Sequence, residues 1–213
     1  MALDVAAIRA QVPSLKSGTA RFDAPGGTQT PQPVIDAIVD ALSRPLANRG
    51  HVTEGERNAE AIVAASRVAL ADLLGAQPNG IVFGRSSTQL AYDVSRTLAK
   101  DWGPGDEVVV TRLDHDSNIR PWVQAANAVG ATVRWADFDP ATGELHPEHL
   151  ETVLSPRTRL VAVTAASNLI GTRPDVPTLA ALAHDVGALL HVDAVHYAAH
   201  APVDLTALGA DTL

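Results

Sequence analysis

The sequence predicts an α/β protein in three α/β/α layers, with a mostly parallel sheet covered by helices on both faces. Three observations carry this expectation. Beyond residue 80, short apolar runs alternate regularly with stretches of helical character. The runs are apolar almost throughout, as strands buried on both faces are. Glycine and proline punctuate the junctions, at Trp102-Gly103-Pro104-Gly105, at Gly130 and at Gly187.

In chain order, Met1 to Ala10 reads as a short helix carrying Asp4 and Arg9 among its alanines, with no signal-peptide pattern. Phe22 to Pro31 is a glycine- and proline-rich loop. Helices follow over Pro33–Leu42 and over Glu54–Leu74, the second capped by Gly75, with a polar loop, Pro45–Thr53, between them. Ile81-Val82-Phe83 reads as the first strand, and Ser86-Ser87-Thr88 opens a helix over Gln89–Lys100. The next strand is Glu107–Thr111, and Asn118–Val129 is a helix ended by Gly130. Ala131–Trp135 is a strand, Pro147–Leu154 a short helix and Arg159–Thr164 another strand. Pro174–Val186 is a helix and Ala188–Val192 the last strand read in full. Residues 1–80 form a helical arm with loops and residues 81–213 the sheet domain, the two making one structural unit.

Composition narrows the function. With 46% hydrophobic and 19% charged residues, the chain is an ordinary globular one. A net charge of −8 argues against a broad nucleic-acid surface, which needs clustered Lys and Arg. The absence of cysteine excludes disulfides, thiolate metal sites and a cysteine nucleophile within these residues. No apolar run approaches the roughly 20 residues of a membrane span. A cytoplasmic enzyme or binding domain is the expectation.

Ligands of open α/β sheets bind beyond the carboxyl ends of the strands. Those ends read Ser86-Ser87-Thr88, Asp114-His115-Asp116, Ser167-Asn168 and Asp193-Ala194-Val195-His196. Ser86 and Ser87 begin a helix and suit either an anion or a plain N-cap. His115 can stack on an aromatic ring, relay a proton as a catalytic residue, or simply pair with a flanking carboxylate. Asn168 can donate to a ring oxygen or shape its turn. Asp193 ends a very apolar strand and needs a partner, because an isolated buried charge is costly. A salt bridge or backbone hydrogen bonds can supply one, and so can a protonated pyridine nitrogen, which points to pyridoxal 5'-phosphate (PLP). His196 is placed to reach the same ring. The alternative is a metal-dependent hydrolase built on His184, His191, His196 and His200, but no H-E-x-x-H pair or closed ligand set supports it, so no metal is expected.

These segments resemble the class V aminotransferase group of fold-type I PLP enzymes, which includes the cysteine desulfurases. The carriers are Phe22 to Gln29, Phe83 to Thr88, Leu113 to Trp122, Ser167 to Thr172 and His191 to Tyr197, in that order. The resemblance implies a truncated PLP-binding large domain over residues 81–213. It implies Ser86 and Ser87 at the phosphate, His115 stacked on the ring, Asn168 near the ring hydroxyl and Asp193 on the ring nitrogen. His196 stands where many desulfurases carry glutamine. Asn48, Arg49 and His51 match a loop that reaches toward the substrate and a partner subunit. The small amino-acid substrate, the attack at its α-carbon and a homodimer are implied in the same way.

One departure matters. In the family, a run like Val203 to Asp211 leads into a further strand and then to the lysine that anchors PLP covalently. This chain ends at Leu213 and holds only Lys16 and Lys100. The expectation is therefore an enzyme's N-terminal part, inactive alone, with a non-catalytic PLP-binding or complementing module as the rival. The missing sheet neighbour is also expected to make the fragment aggregate or need a partner.

Overall fold

The computed structural model describes residues 3–24 and 27–213. Met1 and Ala2 of the expected first helix, and Pro25 and Gly26 of the glycine-rich loop, lie outside the described residues. The chain divides into two compact units, Met1–Ser66 and Arg67–Leu213.

The first unit carries α1 (Val5–Ala10), α2 (Gln32–Ser43) and the start of α3 (Glu54–Leu74). Asp4 caps α1 by accepting from the Ala7 N–H at 3.0 Å. A reciprocal box opens α3. Thr53 Oγ1 accepts from the Glu56 N–H at 3.2 Å, and the Glu56 carboxylate accepts from the Thr53 N–H at 3.0 Å.

The second unit holds a four-stranded sheet in the order β2-β1-β3-β4, every pair parallel. The strands are β1 (Glu107–Thr111), β2 (Thr132–Ala136), β3 (Thr158–Thr164) and β4 (Leu189–Asp193). Central position explains their sequences. β1 is buried along its whole length and β3 at all but one residue, whereas β2, at the edge, exposes every second residue. The pleat sends alternate residues to opposite faces. Val109, Val161, Val163, Leu190 and Val192 pack with α6 (Pro147–Glu151), α7 (Val176–Asp185) and α8 (Leu205–Leu208). Val108, Val110, Leu160 and Ala162 face the other way, onto Trp122 and Ala126 of α5 (Arg120–Val129), with Val94 and Leu98 of α4 (Ser87–Leu98) beside them. These are the three layers the sequence predicts.

Gly130 ends α5 in the left-handed conformation at φ 77°, which a side chain resists. Gly209 does the same after α8 at φ 68°, and a Cβ there would meet the Ala180 Cβ at 2.8 Å. After that turn Thr212 bridges His191 in parallel, so the chain begins to run alongside β4.

Three elements differ from expectation. Ile81-Val82-Phe83 is not a strand. It pairs with no strand among the described residues, Val82 and Phe83 are exposed, and the Ile81 carbonyl accepts from the Arg67 guanidinium, which sits 5.5 Å from the Phe83 ring centre. The helix expected from Asn118 starts at Arg120, because Asp116–Asn118 forms a separate 3-10 turn and Pro121 sets the first helical turn. The short helix ends at Glu151 rather than Leu154.

Candidate active site at the carboxyl edge of the sheet

Because all four strands are parallel, their carboxyl ends share one edge. β1 delivers Asp114 and His115 there, β3 delivers Ser167 and Asn168, and β4 delivers Asp193 and His196. Thr164 and Asp193 are register partners at the tips of β3 and β4. Asp193 is half-buried, and its Oδ1 accepts from the Val195 N–H at 3.0 Å. No cationic side chain pairs with it among the described residues.

His115 is exposed and held by its own turn. Its Nδ1 accepts from the Ser117 N–H at 3.1 Å and lies 2.7 Å from Ser117 Oγ. An accepting Nδ1 leaves the proton of the neutral ring on Nε2. The flanking Asp116 is bound elsewhere, by Arg120 through Nε at 2.8 Å and Nη2 at 3.1 Å. Ser86 caps α4, its hydroxyl accepting from the Gln89 N–H at 3.2 Å, and Ser87 is the first helical residue. That hydroxyl can still donate, and the free N–H groups of the first turn favour an anion. The helix packs on the Asp116–Asn118 turn that follows His115.

Ser167 and Asn168 lie on a tight loop closed by the Ser167 N–H donating to the Thr172 carbonyl at 2.9 Å. Asn168, His196 and His200 line an open groove of about 460 Å³ together with Arg173 and Tyr197. Arg173 Nη2 donates to Tyr197 Oη at 2.9 Å, and its guanidinium stands 4.5 Å from that ring's centre. Sequence reasoning did not single out Arg173 or Tyr197, and neither has a local motif that would have marked it.

Behind this edge runs a buried polar chain that the sequence reading also missed. Asp114 accepts from Asn118 Nδ2 at 2.7 Å and is hydrogen-bonded to Thr111 Oγ1. Asn118 Oδ1 accepts from Trp122 Nε1 at 3.0 Å. The Trp122 ring meets that of His191, centroids 4.9 Å apart, and His191 Nδ1 is 2.7 Å from Thr212 Oγ1. Burial drives Asp114 up to about 7, with the charge of Asp193 adding to it. Burial also pushes His191 down to about 4, so that imidazole is neutral at physiological pH.

The four histidines of the metal reading disperse. His184 Nε2 lies 2.9 Å from Asp211 Oδ2, His191 is buried against Trp122, and only His196 and His200 share the groove. Among the described residues, no three His, Asp or Glu side chains are grouped to hold a metal ion. Asn48, Arg49 and His51 lie in the first unit on an exposed loop fastened to α3. Arg49 grips Glu60 with two hydrogen bonds, Nε at 2.8 Å and Nη2 at 2.7 Å, which raises its pKa. Asn58 Nδ2 anchors the same loop through the Pro45 carbonyl at 3.0 Å.

A parallel α/β sheet covered by helices on both faces is of the doubly wound class, whose ligands bind beyond the carboxyl ends of the strands. The chain belongs to the aminotransferase class-V family, whose model matches residues 21–213. It is 39% identical to an uncharacterized protein of Mycobacterium tuberculosis, over all of this chain and 54% of that one. It is 33% identical to a cysteine desulfurase of Klebsiella pneumoniae, over 99% of this chain and 54% of that one. Among solved structures, the apo cysteine desulfurase of Thermococcus onnurineus superposes with a TM-score of 0.91 at 29% identity, over 99% of this chain and 52% of that one. The chain thus spans about half the length of these relatives. No helix among the described residues is long and apolar enough to cross a membrane.

Proposed function

We propose that this chain is the cofactor-binding N-terminal part of a cytoplasmic, PLP-dependent enzyme, desulfurase-like, that acts at the α-carbon of a small amino acid. The observation that carries the reading is Asp193, a carboxylate at the tip of a buried strand with no cationic side chain paired to it among the described residues. The donor set fits the cofactor. Asp193 would hold the proton on the ring nitrogen, and His115, fixed by Ser117, would lie against the ring face. Ser86, Ser87 and the first N–H groups of α4 would take the phosphate. Asn168 would donate to the ring oxygen, with His196 beside it to hold or move a proton there. PLP, when bound, withdraws electrons from the α-carbon of an amino acid joined to it. Asn48, Arg49 and His51 would approach the substrate.

Covalent anchoring needs a lysine. Lys16 is exposed in the first unit. Lys100 follows the far end of α4, roughly 18 Å from the Ser86 cap for a helix of this length. Residues 1–213 alone are therefore expected to turn over no amino acid. We also propose that two copies pair, as the family resemblance implies. The exposed Leu169 and Ile170 beside the groove support an apolar contact there.

The test is a PLP titration of the 1–213 chain followed by absorbance. Wild type binds PLP, and Asp193→Ala binds it at least about tenfold more weakly, as loss of a charged partner should cost. Equal binding by the two proteins sinks the reading. So does release of sulfide or a keto acid from any amino acid by wild type alone.

A further inference from the structure

Asp114 is the buried carboxyl at the carboxyl edge to which the cofactor reading gives no task. It is not a loose group. Thr111 Oγ1 and Asn118 Nδ2 both converge on its carboxyl oxygens. Through Asn118 it reaches Trp122, which is fully buried, and Trp122 lies against His191 of β4. Asp114 directly precedes His115, and His191 stands two residues before Asp193 on the same face of β4. One continuous buried chain therefore joins the loop of the ring-stacking histidine to the strand that presents the ring-nitrogen carboxylate.

We propose that Asp114 is a positioning residue of the cofactor clamp, fixing the His115 loop against β4 through Asn118 and Trp122. The proposal rests on the cofactor reading above. Its physical ground is that Asp114 is buried and hydrogen-bonded to both Thr111 and Asn118, and burial, more than the charge of Asp193, disfavours its ionised form. Kept protonated, its carboxyl becomes a donor. Thr111 Oγ1 donates to Asp114 Oδ2 and Asn118 Nδ2 to Oδ1; a proton on Oδ2 reverses the first of these, Thr111 Oγ1 then accepting. The charged group that acts on it is Asp193. The remaining titratable neighbour, His191 beyond Trp122, is neutral. Asparagine reproduces that neutral pattern, one donor and one acceptor at the same positions. Alanine leaves the Asn118 amide unpartnered.

The experiment compares PLP affinity of the wild-type chain, Asp114→Asn and Asp114→Ala, each at about pH 6 and about pH 8, on either side of the Asp114 titration. Asp114→Asn should match wild type within about twofold at the lower pH, and Asp114→Ala should bind about tenfold more weakly, the loss expected when a buried polar partner is removed. The wild-type affinity, divided by that of Asp114→Asn so that PLP's own titration cancels, should fall at the higher pH. Wild-type affinity in Asp114→Ala, or Asp114→Asn as weak as Asp114→Ala, overturns the proposal while the cofactor reading stands. Where Asp114→Ala does not fold, a flat wild-type to Asp114→Asn ratio across the two pH values overturns it. Failure of wild type to bind PLP at either pH removes the cofactor reading itself, and the proposal with it.

Discussion

Strand β1 is flanked by two buried acids, Glu107 at its first residue and Asp114 just past its last, and their surroundings are opposite. Glu107 is 2% exposed and completely satisfied. Ser155 Oγ donates to it at 2.6 Å, Arg157 Nη2 at 2.7 Å and Arg134 Nη2 at 2.9 Å. The Ser155 hydrogen bond, followed by those of the two arginines, holds it down at about 2. Its neighbour Asp106 is bound by Arg159 Nε at 2.6 Å. The amino edge of the sheet is a set of closed ion pairs. At the carboxyl edge, no cation from the described residues pairs with Asp114 or Asp193, and burial carries Asp114 up to about 7, with the charge of Asp193 adding to it. The buried acid at one end of β1 is answered by arginines and the buried acid at the other is not, and that contrast supports the proposal that the second end takes a ligand.

The contrast is broken most severely by removing Trp122, which links Asn118 to His191 and fills the core between α5 and the sheet. Trp122→Ala should cost about 3–5 kcal/mol, the range for emptying a buried aromatic site. Urea denaturation measures it. The loss should come with a detached carboxyl edge and weakened PLP binding. A variant that loses that stability yet binds PLP as wild type would separate core packing from the clamp.

A smaller effect sharpens the comparison. Asp114 is raised from an ordinary 3.8 to about 7, so the folded chain holds a proton that the unfolded chain has already released. Stability from this group is thus greatest below pH 3.8 and is lost as pH rises toward 7. Asp114→Asn has no such titration. At pH 7 it should be more stable than wild type by about 2–4 kcal/mol, and near pH 4 the difference should vanish. Parallel denaturation curves across that interval decide it, and a difference independent of pH would mean that Asp114 is ionised in the fold.

Most of the scaffold was legible because it follows from patterns the sequence displays. Val108-Val109-Val110 and Leu160-Val161-Ala162-Val163 are apolar without alternation, and only central parallel strands need that. The strand ends then placed His115, Asn168, Asp193 and His196 at one edge before any coordinates. What escaped has a physical cause too. Ile81-Val82-Phe83 has strand composition, but a strand needs a neighbour, and among the described residues it finds Arg67 instead. The Asp114 network was hidden because Asn118 and Trp122 read as helix face and core, and only the hydrogen bonds that run from Asp114 through Asn118 to Trp122 give them a joint role. Arg173 and Tyr197 meet across 24 residues of sequence, a distance at which no local pattern speaks.

At the amino edge the sign reverses and the effect is smallest. Glu107→Gln keeps the shape and one acceptor but removes the charge that Arg134 and Arg157 answer. Both arginines are about half exposed, and water can take over much of their solvation. The cost at neutral pH should be about 1–2 kcal/mol, that of weakening charge-assisted hydrogen bonds rather than stranding a buried cation. Because Glu107 is held down from 4.5 to about 2, its contribution is present above pH 4.5 and disappears as pH falls toward 2. Wild type and Glu107→Gln should converge over that acid interval, below the window in which wild type and Asp114→Asn diverge. Observing both titrations in one denaturation series, with opposite slopes, would tie each to its own end of β1. A Glu107→Gln difference that persists unchanged at pH 2 would mean that the amino edge is held by packing and not by its charges.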